Sequence, residues 1–191
     1  MIKHLYDSFA ERYYHGGSIY LYSDTHFSDE DSYRFRFPEE FDCDNLEGIS
    51  EETKRTANKV TVRHLDQVQI DNINKVVHKN DTLIILGDVG NVECIKKLKA
   101  GYKVLIMGNH DAGASNYKRI VKKDFSEVTF EELMRSDKTH LKIEDNNLFD
   151  EVYEGTLQIG PKLILSHEPI EYPYCLNIHG HVHSVNPLGA Y

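Results

Sequence analysis

Thr82-Leu83-Ile84-Ile85-Leu86-Gly87-Asp88 and Lys103-Val104-Leu105-Ile106-Met107-Gly108-Asn109-His110-Asp111 share one design, a short run rich in branched aliphatics that stops at a glycine and passes into polar residues. Such runs, bounded by a turn signal, read as strands buried on both faces. Val92 to Leu98 between them reads as a short helix. Strand, helix, strand implies parallel pairing, because a helical crossover returns the chain to the same end of the sheet.

Working outward, Ser18-Ile19-Tyr20-Leu21-Tyr22-Ser23 follows Gly16-Gly17 and reads as another buried strand, ending at Asp24. Phe27 to Gly48 is acidic and aromatic, with Pro38 and little periodicity, and is expected to be a long loop with one helical turn. Ser50 to Asn80 carries Val60, His64, Leu65, Val68, Ile73, Val76 and Val77 at spacings near three and four, the mark of an amphipathic helix or two, with Ser50 as N-cap. Further on, a helical region is expected from about Ser115 to Met134. Glu151 to Ile159 and Lys162 to Leu165 flank Gly160-Pro161 as a hairpin, so the second half adds antiparallel pairing, and Leu176-Asn177-Ile178 reads as a last strand. No linker or repeat interrupts residues 1–191, which are expected to form one domain of the α/β class with a mixed sheet.

Composition narrows the function classes. The chain has 191 residues, 40% of them hydrophobic, enough for one substantial core and too many for a disordered chain. The start, Met1-Ile2-Lys3-His4-Leu5-Tyr6-Asp7, lacks a basic region followed by an apolar one, and no stretch approaches the roughly 20 apolar residues of a membrane helix. A cytoplasmic protein without a membrane partner is the expectation. Cys43, Cys94 and Cys175 are isolated and odd in number, which fits free thiols in a reducing compartment. A net charge of −9, from 22 Lys and Arg against 31 Asp and Glu, repels polyanions and counts mildly against nonspecific nucleic-acid binding, although a metal cluster can make one cleft positive.

Metal-binding side chains cluster just after the strand-like runs: Asp24-Thr25-His26, Gly87-Asp88, Gly108-Asn109-His110-Asp111, Ser166-His167 and Gly180-His181-Val182-His183. Any one of these residues, taken alone, is more often a surface or hydrogen-bonded structural residue. In order, D-x-H, G-D, G-N-H-D, H and G-H-x-H resemble the calcineurin-like metallophosphoesterase family from Asp24 to His183. The resemblance implies two mixed β-sheets packed as a sandwich between outer helices, a four-layer αββα arrangement, with the site on loops at one sheet edge. It implies one ion held by Asp24, His26 and His183 and another by Asn109, His167 and His181, with Asp88 bridging both and sharing in catalysis. In an extended Gly180-His181-Val182-His183, residues two apart project the same way, so His181 and His183 can address neighbouring ions.

The donor types are imidazole, carboxylate and amide oxygen without thiolate, which suits Mn, Fe or Zn. Two divalent ions against the Asp24 and Asp88 carboxylates leave a site of about +2, suited to a phosphate. Ions roughly 3.5–4 Å apart lower the pKa of a bridging water and clamp phosphoryl oxygens during in-line displacement, which makes metal-bound hydroxide the expected nucleophile. By resemblance, His110 would protonate the leaving alkoxide or stabilise the transition state. Asp111 is expected to fix the loop.

The chain departs from the better-known members in two places. Their second motif reads G-D-x-x-D-R-G, in which the later Asp orients the catalytic His and the Arg grips phosphate. Here Asn91 stands at the Asp position and no Arg follows in Gly87-Asp88-Val89-Gly90-Asn91-Val92-Glu93. The pattern is nearer to the small bacterial and phage phosphoesterases. In addition, only Ser184 to Tyr191 follow His183, where relatives commonly add a strand, so that an exposed sheet edge could be covered by homodimerisation.

Other candidates receive structural readings. His179 is expected to support the last motif as a strand residue, and His4, His15, His64, His78 and His140 lack ligand-like context. Lys118, Arg119, Lys122 and Lys123 read as a solvated helix face. Arg34 and Arg36 alternate with Phe35 and Phe37 and could grip phosphate and stack a base, but the favoured account packs both aromatics on the core. Tyr20 and Tyr22 read as strand packing. The functional expectation is a metal-dependent phosphoesterase acting on a phosphomonoester or diester, with a phosphorylated substrate as partner. Its rivals are a catalytically weak metal-binding scaffold of the same fold and a nuclease.

Overall fold

The computed structural model describes residues 2–111, 120–122, 140–143 and 148–182. The chain runs through α1 (Ile2–Tyr13), β1 (Ile19–Tyr22), α2 (Glu30–Arg36), a 3₁₀ segment (Pro38–Asn45), α3 (Glu51–Val76), β2 (Thr82–Leu86), a second 3₁₀ segment (Val92–Lys97) and β3 (Tyr102–Ile106). Six further strands follow: β4 (Ile120–Lys122), β5 (His140–Ile143), β6 (Glu151–Tyr153), β7 (Leu157–Ile159), β8 (Leu163–Ser166) and β9 (Leu176–His179).

One sheet has the order β1-β2-β3-β6-β5-β4 and the other β7-β8-β9. The first is parallel from β1 through β6 and antiparallel from β6 through β5 to β4. In the second, β7 and β8 form the antiparallel hairpin across Gly160-Pro161, and β9 joins β8 in parallel. The stretch Glu151 to Ile159 is not one strand: its first half belongs to the first sheet and its second half to the other.

β2 is buried along its whole length because alternate side chains serve different cores. Leu83 and Ile85 join Leu105 and Val152 against Ile70, Ile73 and Val77 of α3 and its end. Ile84 and Leu86 join Val104, Ile106 and Tyr153 against Leu157, Ile159, Leu163 and Leu165 of the second sheet, with Tyr13 of α1. Of the four layers expected, the described residues therefore show α3, the first sheet and the second sheet packed in succession.

Ser50 caps α3 as expected, accepting from the Thr53 N–H at 3.2 Å, and no Gly or Pro divides the helix. Its buried face is only partly the one read by periodicity: Leu65, Ile73 and, just past the helix, Val77 are buried as expected. Val60, Val68 and Val76 are exposed, while Asn58, Val62, Leu65, Asp66, Ile70 and Ile73 are buried. Two polar residues inside the buried stripe hide it from a hydrophobic pattern.

The expected loop from Phe27 to Gly48 contains α2 and a 3₁₀ segment instead. Asp29 caps α2, with Glu30 and Asp31 in the first turn and Arg34 and Arg36 in the last, an arrangement the helix dipole favours. Only Tyr33 of this short helix is buried, so it shows no periodicity. Phe35 is 67% and Phe37 39% exposed, which overturns their placement on the core. Val92–Lys97 is a 3₁₀ segment where a helix is expected, and α1 is an element the sequence reading does not announce. Of the helix expected over about 115–134, Ile120–Lys122 is a strand and the remainder lies outside the described residues, as does His183. Among the described residues no helix is long and apolar enough to cross a membrane.

Candidate metal centre

Parallel β1 and β2 end at the same edge of the sheet, and the loops that leave them stay paired. Asp24 N–H donates to the Gly87 carbonyl at 3.1 Å, His26 N–H to Asp88 at 2.8 Å and Phe27 N–H to Val89 at 2.9 Å. This carries Asp24 and His26 alongside Asp88. β3, one strand over, delivers Asn109, His110 and Asp111, and β8 and β9 of the second sheet deliver His167 and His181. The assembly thus lies beyond the carboxyl ends of parallel strands, where open α/β sheets characteristically bind ligands.

Asp24, His26, Asp88 and His181 all have left-handed backbone conformations, with φ of 54°, 44°, 53° and 66°. Such conformations cost about 1–3 kcal/mol in sparsely populated regions, less for Asp, and cluster where geometry serves function. The preceding glycines have a steric cause. A Cβ on Gly180 would stand 2.6 Å from Asp24 Oδ2, and one on Gly108 would collide with the Asp88 carboxylate.

Asp88 is 1% exposed and sits between two groups of donors. Its Oδ2 lies 3.3 Å from His167 Nε2 and 3.5 Å from His26 Nε2, and its Oδ1 accepts from the His110 N–H at 3.0 Å. Burial raises its pKa, but the bonds from His167 and His110 outweigh it and hold the carboxyl below its ordinary value. His167 Nδ1–H donates to the Leu86 carbonyl at 2.9 Å, which leaves Nε2 as the inward atom. That nitrogen faces Asn109 Oδ1 at 2.9 Å, His181 Nδ1 at 3.1 Å and Asp88 Oδ2. Burial opposes protonation of His167, yet Asp88 and the Leu86 carbonyl hold its pKa up at about 9.

A single ring nitrogen converging with two oxygens and a second ring nitrogen cannot satisfy them all with one proton, whereas a cation among them would. Ligand atoms of Asp88, His167 and His181 lie within 4.8 Å of one another, and so do those of Asp24, His26 and Asp88. The donor set of imidazole, carboxylate and amide oxygen therefore fits metal binding, with Asp88 common to both groups.

The candidate ligands Asp24, His26, Asp88, Asn109, His167 and His181 are thus brought together. His110 is exposed at the mouth, its ring packed edge-on against that of His26 with centroids 5.3 Å apart. Asp111 is buried and accepts from the N–H groups of Asp88, Val89 and Gly108 at 2.9, 3.0 and 2.8 Å, so it ties two site loops together. Asn91 does not orient His110. Its amide donates to Ser28 Oγ at 3.1 Å and its oxygen accepts from the Glu93 N–H, capping the 3₁₀ segment.

Two supporting carboxylates escape the sequence reading. Asp29 accepts from His26 Nδ1 at 3.1 Å, turning Nε2 toward Asp88, while also capping α2. Its burial is outweighed by the Ser32 and His26 bonds, which keep its pKa low. Asp29-Glu30-Asp31-Ser32 is a capping signature that points to this residue. Asp66 of α3 accepts from Ser28 N–H and Oγ, both at 2.7 Å, and from the Tyr33 hydroxyl at 2.6 Å. Nothing local in the sequence announces that contact.

A solved structure described as "the Protein of Unknown Function AQ665 from Aquifex aeolicus" is similar, with 25% identity, a TM-score of 0.51, and coverage of 90% of this chain and 82% of that one. No curated protein matches the chain significantly. The model of the calcineurin-like phosphoesterase family matches residues 17–189, nearly the whole chain including every strand described above, and the protein belongs to that family.

Proposed function

We propose that the protein is a metal-dependent phosphoesterase that hydrolyses a phosphomonoester or diester at a two-ion centre. The observation that carries this reading is the sharing of Asp88 Oδ2 between two separate donor groups. Asp24 and His26, with His183 by family resemblance, would hold one ion, and Asn109, His167 and His181 the other, with Asp88 between them. When bound, such ions polarise phosphoryl oxygens and bring water within reach of ionisation at neutral pH.

The chain's own residues define the remaining steps. His167 is held in the tautomer that presents Nε2, because Leu86 takes the Nδ1 proton. Asp29 performs the same service for His26. His110, anchored by its backbone N–H to Asp88 Oδ1, with its exposed ring edge-on to that of His26, is placed to donate a proton to the leaving-group oxygen. Asp111 keeps the Asp88 and His110 loops in register and takes no part in proton transfer.

A scaffold without turnover is the second reading, and one observation favours it: Asn91 is engaged elsewhere, and among the described residues no carboxylate orients the His110 ring. The test is hydrolysis of paired chromogenic phosphomonoester and phosphodiester substrates by metal-stripped protein reloaded separately with Mn, Fe, Zn or Mg. Activity restored by metal and abolished in Asp88→Asn supports the hydrolase, and the preferred ester divides phosphatase from phosphodiesterase. Tight metal binding with no turnover of either ester favours the scaffold.

A further inference from the structure

Arg34 and Arg36 leave the last turn of α2 in different directions. Arg34 is fully committed: it pairs with Glu30 and Asp44 and lies over the Phe41 ring at 4.6 Å. Arg36 makes no ion pair among the described residues, and its Nη2 is buried without a hydrogen-bond partner. A buried donor left unpaired is costly, more so on a charged group. Arg36 lines a cavity of about 360 Å³ with Tyr22, Ser23, Asp24, His179, Gly180 and Val182. Among the described residues the Tyr22 side chain forms no hydrogen bond, and Tyr22 lines the same cavity. His179 Nδ1–H is spent on the Gly180 carbonyl. The one carboxylate in the wall, Asp24, already accepts two bonds from the His181 N–H and faces the candidate ion.

We infer that this cavity is a subsite for a second anionic group of the substrate, with Arg36 as its specificity-determining residue. The inference rests on the phosphoesterase reading and deepens it. The cavity shares Asp24 with the candidate metal centre but is lined by neither Asp88 nor His110, so the scissile phosphate lies outside it and a neighbouring group of the same substrate lies inside. A cavity of about 330 Å³ opens elsewhere on the centre, lined by Asn109, His167, Glu154 and Glu168 among others. Among the described residues no arginine or lysine lines it, whereas Arg36 lines the first cavity. Guanidinium presents planar paired donors to phosphate or carboxylate, and the bound oxyanion would supply the acceptor that Nη2 lacks. In this way α2 places an anion-directed arginine beside the candidate centre.

The test has two arms. In the first, metal-free protein is titrated with inorganic phosphate and separately with acetate, with binding read by calorimetry, for the unmodified chain, Arg36→Gln, Arg36→Lys and Tyr22→Phe. Urea midpoints verify that each variant folds. Phosphate or acetate binding weakened at least tenfold by Arg36→Gln and only a few-fold by Arg36→Lys and Tyr22→Phe is expected, and the preferred anion identifies the group as phosphate or carboxylate. In the second, metal-loaded protein hydrolyses nitrophenyl phosphate and a counterpart bearing a second phosphate or carboxylate on the ring. Arg36→Gln should raise KM at least tenfold for the doubly anionic ester and less than twofold for the simple one. An equal rise for both, or none for either, overturns the subsite. Should no ester be hydrolysed with any metal, the phosphoesterase reading fails, and the anion titration alone judges the cavity: Arg36-dependent binding upholds an oxyanion site there, and its absence removes it.

Discussion

Asp111 holds Asp88 by its backbone: one carboxylate oxygen of Asp111 accepts from the Asp88 N–H at 2.9 Å and from the Gly108 N–H at 2.8 Å. With the Val89 N–H on the other oxygen, three buried donors from two loops depend on one side chain. The loop after β2 and the loop after β3 are thereby a single unit, and the candidate ligands they carry keep a fixed spacing.

Asp111→Ala should therefore act on stability and metal affinity together. Leaving buried N–H groups unpaired costs about 1–3 kcal/mol each before relaxation, so a loss of at least about 2 kcal/mol is expected. Urea unfolding of the metal-free variant checks the stability, and metal content after dialysis checks the affinity. Unfolding at the same midpoint as the parent would remove Asp111 from the loop architecture.

The adjacent His110 should behave in the opposite way. Its ring is exposed and its backbone makes the hydrogen bond to Asp88, so His110→Ala should keep both fold and metal content. Turnover should drop by about 10² or more, most for esters with poor leaving groups, where proton donation matters most. Equal rates on such esters would take His110 out of the mechanism.

Asp29 has two roles that different substitutions separate. Asp29→Asn keeps a capping side chain on α2 and should leave stability within about 0.5 kcal/mol, whereas Asp29→Ala should cost about 1 kcal/mol. Both lose the carboxylate behind His26 Nδ1, and both should weaken binding of the first metal equivalent by roughly 10- to 100-fold. Metal titration beside thermal unfolding reads the two effects independently. Retention of full metal affinity in both variants would mean that His26 needs no orienting partner.

Cys94 makes a prediction about pH. Burial, followed by the nearby Asp66 carboxylate, pushes its thiol from 9.0 up to about 11. The folded protein thus holds this proton more tightly than the unfolded chain does, so the contribution is complete below pH 9 and is lost as pH rises toward 11. Wild-type protein should lose more stability between those values than Cys94→Ala does, measured as the difference in urea midpoint across the range. In native protein at pH 8.5, iodoacetamide should modify the half-buried Cys43 and Cys175 and spare Cys94.

The helical character of α2 and the face of α3 show where one-dimensional reading falls short. Both elements carry sequence signals, an Asx cap at Asp29 and a Ser cap at Ser50. What hides them is burial that does not follow hydrophobicity: α2 buries a single tyrosine, and α3 buries Asn58 and Asp66 because those residues have polar partners in distant segments. The strand β2 is legible because a strand covered on both faces must be apolar throughout, whereas β1, read as buried from its apolar run, leaves Leu21 exposed at the sheet edge. β6 and β7 read as one strand in the sequence because a change of sheet leaves no mark on an alternating pattern.

The order of aliphatic runs, each closing on a short polar motif, determined by itself the α/β class and the parallel start of the sheet, since these depend on local periodicity, while the roster of candidate ligands came from the resemblance that the ordered motifs carry. Tertiary structure alone decided that Asp88 stands between the two donor groups and that Asn91 turns toward Ser28. It also decided that Asp29 backs His26, and that of two arginines in the same helical turn, Arg34 is paired with Glu30 and Asp44 while Arg36 lines a cavity. These are distances between residues far apart in the chain or oriented by their neighbours, and a hydrogen bond is set by angstroms that residue type and spacing do not encode.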